Sequence, residues 1–216
     1  MKKIKIAVIG QGYVGFSNSI LLAQKNTVIA IDTNVLKVNK INKHKSPIID
    51  DDGSKFLKNS SFNLKASVPY KGMFKDVNYA LIATPTNYDE ETHCFNTTSV
   101  ENTIEIALYE NPSIVIIIRS TVPVGFTEQM TKRFKKTNLY FVPEFLREGS
   151  AIKDNLFPSR IIIGGRGDKI ESVKALLKES VIKKDVEVLT MSSSEAESSK
   201  LFSNTYLAMR IAFLTN

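Results

Sequence analysis

The sequence is poor in the residues that build disulfide frameworks and metal centres. Cys94 is its only cysteine, and it contains only two histidines. A single cysteine cannot form an internal disulfide and fits a reducing compartment, so we expect a cytoplasmic protein. So few sulfur and imidazole ligands also argue against a structural zinc site, and we predict no metal.

Long apolar runs and concentrated charge are missing as well. The longest run, Ile114–Ile118, is far shorter than the roughly 20 residues of a membrane helix. A glycine interrupts the apolar stretch after Ile9, and no small-residue cleavage pattern follows, so we predict neither a membrane span nor a signal peptide. The formal net charge is +7. Because the basic residues are scattered, they indicate a lysine-rich surface and no nucleic-acid partner.

Strand-like runs rich in β-branched residues alternate with helix-like stretches along most of the chain. Such continuous apolar strands are typical of a parallel sheet that is covered by helices on both faces. The pattern therefore predicts an α/β fold, a doubly wound Rossmann-type sheet over residues 1–192. The predicted strands are Lys5–Ile9, Thr27–Ile31, Tyr79–Ala83, Ser113–Ile118, Leu139–Val142, Arg160–Ile163 and Val186–Leu189.

The last segment, residues 193–216, predicts the start of a long C-terminal helix. Ser194 and Glu197 have the spacing of a capping box, in which each side chain satisfies the free amide of the other. Tyr206–Leu214 is apolar around most of its circumference, so this part must be buried against something. No C-cap glycine, proline or polar tail follows. We therefore expect the natural chain to continue.

A glycine-rich motif directly follows the first predicted strand and opens a helix. It reads Gly10-Gln11-Gly12-Tyr13-Val14-Gly15. Gly10 would make a tight turn, Gly12 would let the backbone approach a pyrophosphate, and Gly15 would let the helix pack close to the strand. Phosphates would then lie on the amides at the positive end of the helix. A lone motif of this kind is weak, because glycine-rich turns are common.

An aspartate at the end of the second strand strengthens the interpretation. The carboxylate of Asp32 can accept hydrogen bonds from ribose hydroxyls and would repel a 2′-phosphate, which favours NAD over NADP. Taken alone, Asp32 would be a turn residue that caps the next helix. Lys37 lies one turn into that helix and could also reach the ribose; otherwise it is a surface lysine.

Four later segments carry a family resemblance. Together with the glycine motif, they are similar to the UDP-glucose/GDP-mannose dehydrogenase family over the whole chain and in the family's order. Residues 154–160, Asp-Asn-Leu-Phe-Pro-Ser-Arg, resemble the UDP-glucose branch in its shorter bacterial members. The four segments are Ala83–Asp89 (ATPTNYD), Arg119–Gly125 (RSTVPVG), Pro143–Gly149 (PEFLREG) and Glu197–Tyr206 (ESSKLFSNTY).

The resemblance implies a reaction and a set of roles. A sugar C6 alcohol would be oxidised to a carboxylate by two hydride transfers to NAD through a cysteine thioester, which converts UDP-glucose to UDP-glucuronate. Thr84 and Thr121 follow strand ends, where open α/β sheets bind ligands, and both would contact NAD. Thr121 would also help to hold a catalytic water. Helix capping is the plain alternative for both threonines.

The same resemblance assigns the substrate residues. Glu144, Phe145, Leu146, Arg147 and Glu148 would line the sugar site, with Glu148 also near NAD and assisting proton removal. Two solvated glutamates on a turn would be the alternative. Lys200 and Asn204 share one helix face and would bind substrate and stabilise a developing oxyanion.

Several points stay open at this stage. The family's nucleophilic cysteine and sugar-nucleotide domain would lie beyond residue 216, so the chain should bind NAD without completing the oxidation. Cys94 lies in a polar stretch next to His93 and lacks the expected motif, so we do not expect it to be the nucleophile. GDP-mannose or a UDP-N-acetylhexosamine could be the substrate instead, and a non-catalytic NAD-binding module is another class of function. The final helix is expected to form a homodimer core, as its counterpart does in the family.

Overall fold

The computed structural model describes residues 4–50, 53–59, 62–91 and 94–214. Asp51, Asp52 and His93 lie outside these ranges, as do residues 215–216 of the predicted last helix. Within them the elements are, in chain order, β1 (Lys5–Ile9), α1 (Tyr13–Ala23), β2 (Thr27–Ile31), α2 (Val35–Asn42), α3 (Gly53–Asn59), β3 (Leu64–Ser67), β4 (Tyr79–Ile82), β5 (Tyr88–Asp89), β6 (Cys94–Phe95), α4 (Thr98–Glu110), β7 (Val115–Ile118), α5 (Phe126–Phe134), β8 (Leu139–Phe141), α6 (Ala151–Leu156), β9 (Arg160–Gly164), α7 (Ile170–Ser180), β10 (Glu187–Met191) and α8 (Ser193–Leu214).

One mixed sheet organises the chain, in the order β3-β2-β1-β4-β7-β8-β9-β10. The six strands from β3 to β8 are parallel. Their order reverses between β1 and β4, and at such a switch point the loops after the two strands diverge and leave a crevice. β5 and β6 form a separate antiparallel hairpin. β3 and α6 were not predicted from the sequence.

Helices cover both faces of the sheet, because side chains alternate in direction along each strand. On one face, Ala7 and Ile9 belong to a core cluster with Val100 of α4 and Phe126 of α5. On the other face, Ile6 and Val8 pack with Leu22 of α1 and with Val173, Leu176 and Leu177 of α7. The predicted doubly wound α/β fold with a long final helix is therefore confirmed.

The last two strands depart locally from the predicted parallel arrangement. β9 pairs antiparallel with β8, at Phe141 and Gly164, and β10 runs parallel to β9. The reversal arises because α6 packs on α1, through Ile152 and Leu156 against Phe16 and Ile20, instead of crossing back along the sheet. β9 therefore starts at the edge where β8 ends. The last residue of β9, Gly164, pairs with the last residue of β8, Phe141. β10 ends beside it, because Met191 pairs with Gly164, and α8 starts there.

Helix α8 runs from this point to the segment after β8, where Lys200 Nζ donates to Glu144 O. Its first turns lie close against β9, because a Cβ at Gly164 would be 2.5 Å from Cβ of Ala196. The predicted capping box lies two residues earlier than expected. Ser192, not Ser194, exchanges hydrogen bonds with Glu195, whose carboxylate accepts from Ser192 N at 2.8 Å and from Ser192 Oγ at 2.7 Å. Glu197 is buried and bonds elsewhere.

No helix in the described part of the chain is long and apolar enough to cross a bilayer.

Candidate dinucleotide and substrate site

The glycine-rich turn connects β1 to α1 at the switch point. Gly10 has a φ of +87°, and a Cβ there would be 2.5 Å from the carbonyl oxygen of Ala83 at the end of β4. A Cβ on Gly15 would be 1.7 Å from the carbonyl oxygen of Gly10. Both positions therefore require glycine, because the turn is left-handed at Gly10 and the first turn of α1 presses on it.

Gly12 differs from the other two glycines. No atom of the described residues lies within 4 Å of a Cβ built on it, and it forms the N-cap of α1 without a side-chain capping bond. The first turn of α1 also carries no acidic residue. The open space and the helix amides suit an anion such as a diphosphate, and Tyr13 and Val14 line the same groove.

The side chain of Gln11 points into the protein. Its Nε2 donates to Val8 O at 2.9 Å, and its Oε1 accepts from Ser19 Oγ at 3.1 Å. The residue is fully buried. Any contact of Gln11 with a cofactor is therefore left to its backbone.

Asp32 lies beside the turn at the end of β2. One carboxylate oxygen accepts from Gln11 N at 2.6 Å, and the other accepts from Asn34 N at 2.8 Å. Lys37 approaches the carboxylate with Nζ at 3.7 Å from Oδ2. Each oxygen keeps a lone pair, so the carboxylate can brace the glycine turn and still accept from ribose hydroxyls.

The wall of the groove opposite the glycine turn comes from the loops after β4 and β7. Ser120 Oγ donates to Thr84 O at 2.7 Å, which ties the two loops together. Ser99 Oγ donates to Thr84 Oγ1 at 3.0 Å. Thr121 follows Ser120, is partly exposed and lines the groove. Both predicted threonines therefore lie on the groove.

Glu144 is the centre of a buried polar cluster at the far end of the groove. Arg119 Nη1 donates to its Oε2 at 2.5 Å, and both side chains are about nine-tenths buried. Asn155 of α6 also contacts Glu144. With its amide oriented to satisfy both atoms, Nδ2 donates to Glu144 Oε2 at 3.0 Å and Oδ1 accepts from Ser17 Oγ at 2.6 Å. Glu144 is thus a paired, desolvated carboxylate, unlike a glutamate on a solvated turn.

Lys200 reaches this cluster from α8. Its Nζ donates to the backbone carbonyl oxygen of Glu144 and lies 5.5 Å from the centre of the Phe145 ring. Burial lowers the pKa of Lys200, while the Glu144 carboxylate raises it and Arg119 adds to the lowering. A partly desolvated ammonium at the groove can stabilise negative charge more strongly than a solvated one.

The remaining predicted substrate residues are spread around this point. Glu148 is exposed and lines the groove together with Leu146. Arg147 instead forms a two-pronged pair with Asp154, through Nε at 3.1 Å and Nη2 at 2.8 Å. Asn204 is exposed and is not among the groove-lining residues of the described chain. Lys200 and Asn204, which were expected to point to one place, are therefore not brought together there.

Together these residues enclose a groove of about 770 Å³, which lies within the range of ligand sites. A smaller cavity of about 290 Å³ lies on the other side of the segment after β8. Phe145, Arg147 and Arg160 line that smaller cavity, and Leu146, Glu144 and Arg119 border both. Cys94 is exposed on the hairpin of β5 and β6 and lines neither cavity.

Sequence reasoning missed the residues that hold the site from behind. Arg119 was quoted as part of a motif without a role, although a charge directly after four buried strand residues signals a buried partner. Asn18, whose Nδ2 donates to Glu144 Oε2 at 3.4 Å, and Asn155 gave no signal, because an amide on a helix is usually exposed. Glu197 was interpreted as a capping residue of its own helix.

The groove lies at the switch point of an open α/β sheet, with a Gly-x-Gly-x-x-Gly turn and Asp32 at one end. This arrangement defines a dinucleotide-binding domain. Residues 4–181 match the model of the UDP-glucose/GDP-mannose dehydrogenase family, NAD binding domain. The chain therefore belongs to this family, and the expected cofactor, NAD, is confirmed.

Relatives agree with this assignment over nearly the whole chain. It is 45% identical to UDP-glucose 6-dehydrogenase of Streptococcus pneumoniae, covering 97% of this chain and 55% of the relative. It is 44% identical to the Campylobacter jejuni enzyme of the same name, covering 97% and 54%. The solved UDP-glucose dehydrogenase of Pyrobaculum islandicum superposes with a TM-score of 0.86 at 26% identity, covering 98% of this chain and 51% of that one. The chain thus spans about half the length of these relatives.

Proposed function

We propose that this chain is the NAD-binding, hydride-accepting half of a UDP-glucose 6-dehydrogenase that forms UDP-glucuronate. The observation that carries the proposal is the continuous groove, with Gly12 and Asp32 at one end and Glu148 and Lys200 at the other. A relative of that name is 45% identical to it over 97% of its length. The sugar nucleotide would be completed by a second half, which also supplies the cysteine.

NAD, when bound, supplies the acceptor for the hydride. The open backbone at Gly12 and the amides of the first turn of α1 would hold the diphosphate. Asp32 would accept from the ribose hydroxyls and exclude a 2′-phosphate, with Lys37 beside it. Thr84, Thr121 and Glu148 line the part of the groove toward Lys200, where the nicotinamide would lie.

The substrate end has two kinds of group. Glu148 is exposed and can exchange protons with water, so we assign it to assist proton removal. Lys200 would bind the sugar and stabilise negative charge on oxygen, since it is held by Glu144 O beside the groove. Phe145, Leu146 and Arg147 form the segment over which the sugar would lie. For Asn204 to join Lys200, it would have to be turned toward the groove by the second half.

Two measurements test this proposal. Calorimetry on the chain should detect NAD or NADH binding and much weaker NADP binding, and Asp32→Ala should narrow that preference. Absence of any heat with NAD and NADH would remove the dehydrogenase proposal.

Joined to its sugar-binding half, the protein should produce NADH from UDP-glucose and not from GDP-mannose or a UDP-N-acetylhexosamine. The chain alone should bind NAD without turnover. Binding without turnover in both forms would favour a non-catalytic module.

We also propose that α8 forms a homodimer core. Its outer part is apolar yet exposed, as in Phe202, Tyr206, Met209, Ile211 and Phe213, which are all at least 57% exposed. A patch of this kind is typical of an interface. Ile211→Glu together with Phe213→Glu should convert a sedimenting dimer into a monomer. A wild-type protein that sediments as a strict monomer would contradict the proposal.

A further inference from the structure

Glu197 is a buried carboxylate for which the proposed function has no role. It lies in the first turns of α8 and is fully buried. Both of its oxygens accept hydrogen bonds from the start of another helix, α5. Oε2 accepts from Gly125 N at 2.6 Å, and Oε1 accepts from Thr127 N at 2.8 Å and from Thr127 Oγ1 at 2.6 Å.

Helix α5 depends on this side chain for its cap. Its N-cap residue, Gly125, is left-handed with a φ of +92° and forms no side-chain capping bond of its own. The amides in the first turn of a helix lack partners within the helix, and a nearby Ser, Thr, Asn or Asp normally supplies one. Here the acceptor comes from a residue 72 positions later. The bonds that cap α5 therefore also join α5 to α8.

Each end of this connection leads to the groove within one turn or a short loop. On α8, Lys200 is three residues after Glu197, so the two share a helix face. Lys200 then donates to Glu144 O. On the other side, Gly125 lies four residues after Thr121, across the buried Val122 and the stiff Pro123. The Glu197 carboxylate thus connects α8, which carries Lys200, to the loop that carries Thr121, and both of these residues line the same groove.

Besides Glu197, α8 bonds to α5 through Ser194 Oγ, which donates to Glu128 Oε1 at the longer distance of 3.3 Å. Gly164 and Ala196 set how close α8 lies to β9. Contacts between such small residues hold a distance but resist sliding and rotation weakly. The Glu197 carboxylate accepts three short hydrogen bonds from fixed backbone and hydroxyl donors. These bonds do resist both movements, since charge-assisted bonds are directional and strong.

We propose that Glu197 is a positioning residue, which fixes the axial position and rotation of α8 relative to the Thr121 loop so that Lys200 reaches the groove. The proposal rests on the proposed function for the role of Lys200. A carboxylate that only satisfied buried amides would affect stability and leave the environment of Lys200 unchanged. The two possibilities therefore differ in what happens at Lys200.

Three variants separate a positioning role of Glu197 from a purely structural one. Glu197→Gln keeps the shape and one acceptor but places an amide NH₂ against one of its two backbone donors, so one connection is lost. Glu197→Ala loses both. Glu195→Gln is the matched control, because Glu195 is on the same helix, is exposed and, among the described residues, its carboxylate bonds to Ser192 alone. If Glu197→Ala fails to fold, the isosteric Glu197→Gln decides.

The first measurement is the pH profile of acylation of Lys200, followed by mass spectrometry on the chain itself. The charged groups that face Lys200 are Glu144 and Arg119, and burial lowers its pKa. In Glu197→Ala the ammonium should become more solvated, so its profile should move up toward that of the exposed Lys132 measured in the same sample. Glu195→Gln should retain the wild-type profile. Amide exchange at residues 125–127 should accelerate only in the Glu197 variants.

The second measurement is steady-state kinetics of the dehydrogenase that contains this chain. Misplacing a catalytic group by a fraction of an ångström should lower kcat by about 10-fold to 100-fold in Glu197→Gln, with KM for NAD nearly unchanged. A Lys200 profile and a kcat equal to those of Glu195→Gln would overturn the positioning role. A wild-type chain that binds no NAD would instead refute the proposed function, while the Lys200 profile would still test the connection between the helices.

Discussion

The two ends of the groove are held in different ways. At the cofactor end, Gly10 and Gly15 keep the turn in place by backbone contact within six residues of chain, helped by Asp32. At the substrate end, the segment after β8 is held by side chains from α1, the loop after β7, α6 and α8, around the carboxylate of Glu144. The first end depends on the absence of side chains, and the second depends on pairing between them.

This difference sets how each end responds to change. A steric contact is insensitive to pH and to salt, and it fails when any atom is added. A buried ion pair is costly to desolvate, and it fails when one partner is removed. The cofactor end should therefore be sensitive to enlargement, and the substrate end to truncation and neutralisation.

The largest effect is expected for Arg119→Met. It leaves the carboxylate of Glu144 buried without its main partner, which should destabilise the fold by about 3–5 kcal/mol in urea unfolding. The double variant Arg119→Met/Glu144→Leu should recover most of that loss, because no unpaired charge remains. A single variant as stable as wild type would show that the pair does not hold the substrate end.

Gly15→Ala comes next. The added methyl would lie 1.7 Å from Gly10 O, so α1 must move, at a cost of roughly 3 kcal/mol, the upper part of the usual range for overpacking. Thermal unfolding should show the loss, equally at low and high salt. A variant with the wild-type melting temperature would mean that the turn yields easily and would break the contrast between the two ends.

Gly12→Ala should be milder for the fold and specific for binding. In the part of the chain that the structure describes, nothing lies within 4 Å of the new methyl. The backbone of Gly12 has a φ of −83°, so stability should stay near wild type. The methyl would, however, enter the space assigned to the diphosphate. We expect NADH affinity to fall about tenfold in calorimetry, equivalent to about 1.4 kcal/mol. Unchanged affinity would place the diphosphate elsewhere.

The smallest effect is expected for Asp154→Asn at the exposed edge of the substrate end. Hydrogen bonds from Arg147 hold the pKa of Asp154 below its ordinary value. The folded-state pKa is depressed, so the pair stabilises the protein above the ordinary range of aspartate, and this contribution is lost as pH falls through the folded-state pKa. The difference in melting temperature between wild type and variant should be small at pH 7 and vanish in acid. A melting-temperature difference that grows in acid would contradict the lowered folded-state pKa of Asp154.

The same contrast explains what the sequence could predict. The glycine turn, Asp32 and the buried strands are encoded within short stretches, so their patterns are legible. The direction of β9 is not, because Arg160–Gly164 reads the same in a parallel or an antiparallel pair. Two overlapping Ser-x-x-Glu patterns at residues 192–197 could each cap α8. Only the tertiary structure shows that Glu195 does so and that Glu197 bonds to α5.

Lys200 and the apolar tip of α8 lie at very different distances from Glu197 along the helix. If Glu197 acts as a fulcrum, Lys200 lies about 4.5 Å along the helix on one side, and Leu214 lies about 25 Å away in the same direction, at 1.5 Å per residue. A tilt that moves the outer tip by about 3 Å then shifts Lys200 by only about 0.5 Å. Motion of a partner docked on the apolar tip therefore reaches the Lys200 ammonium with a smaller amplitude.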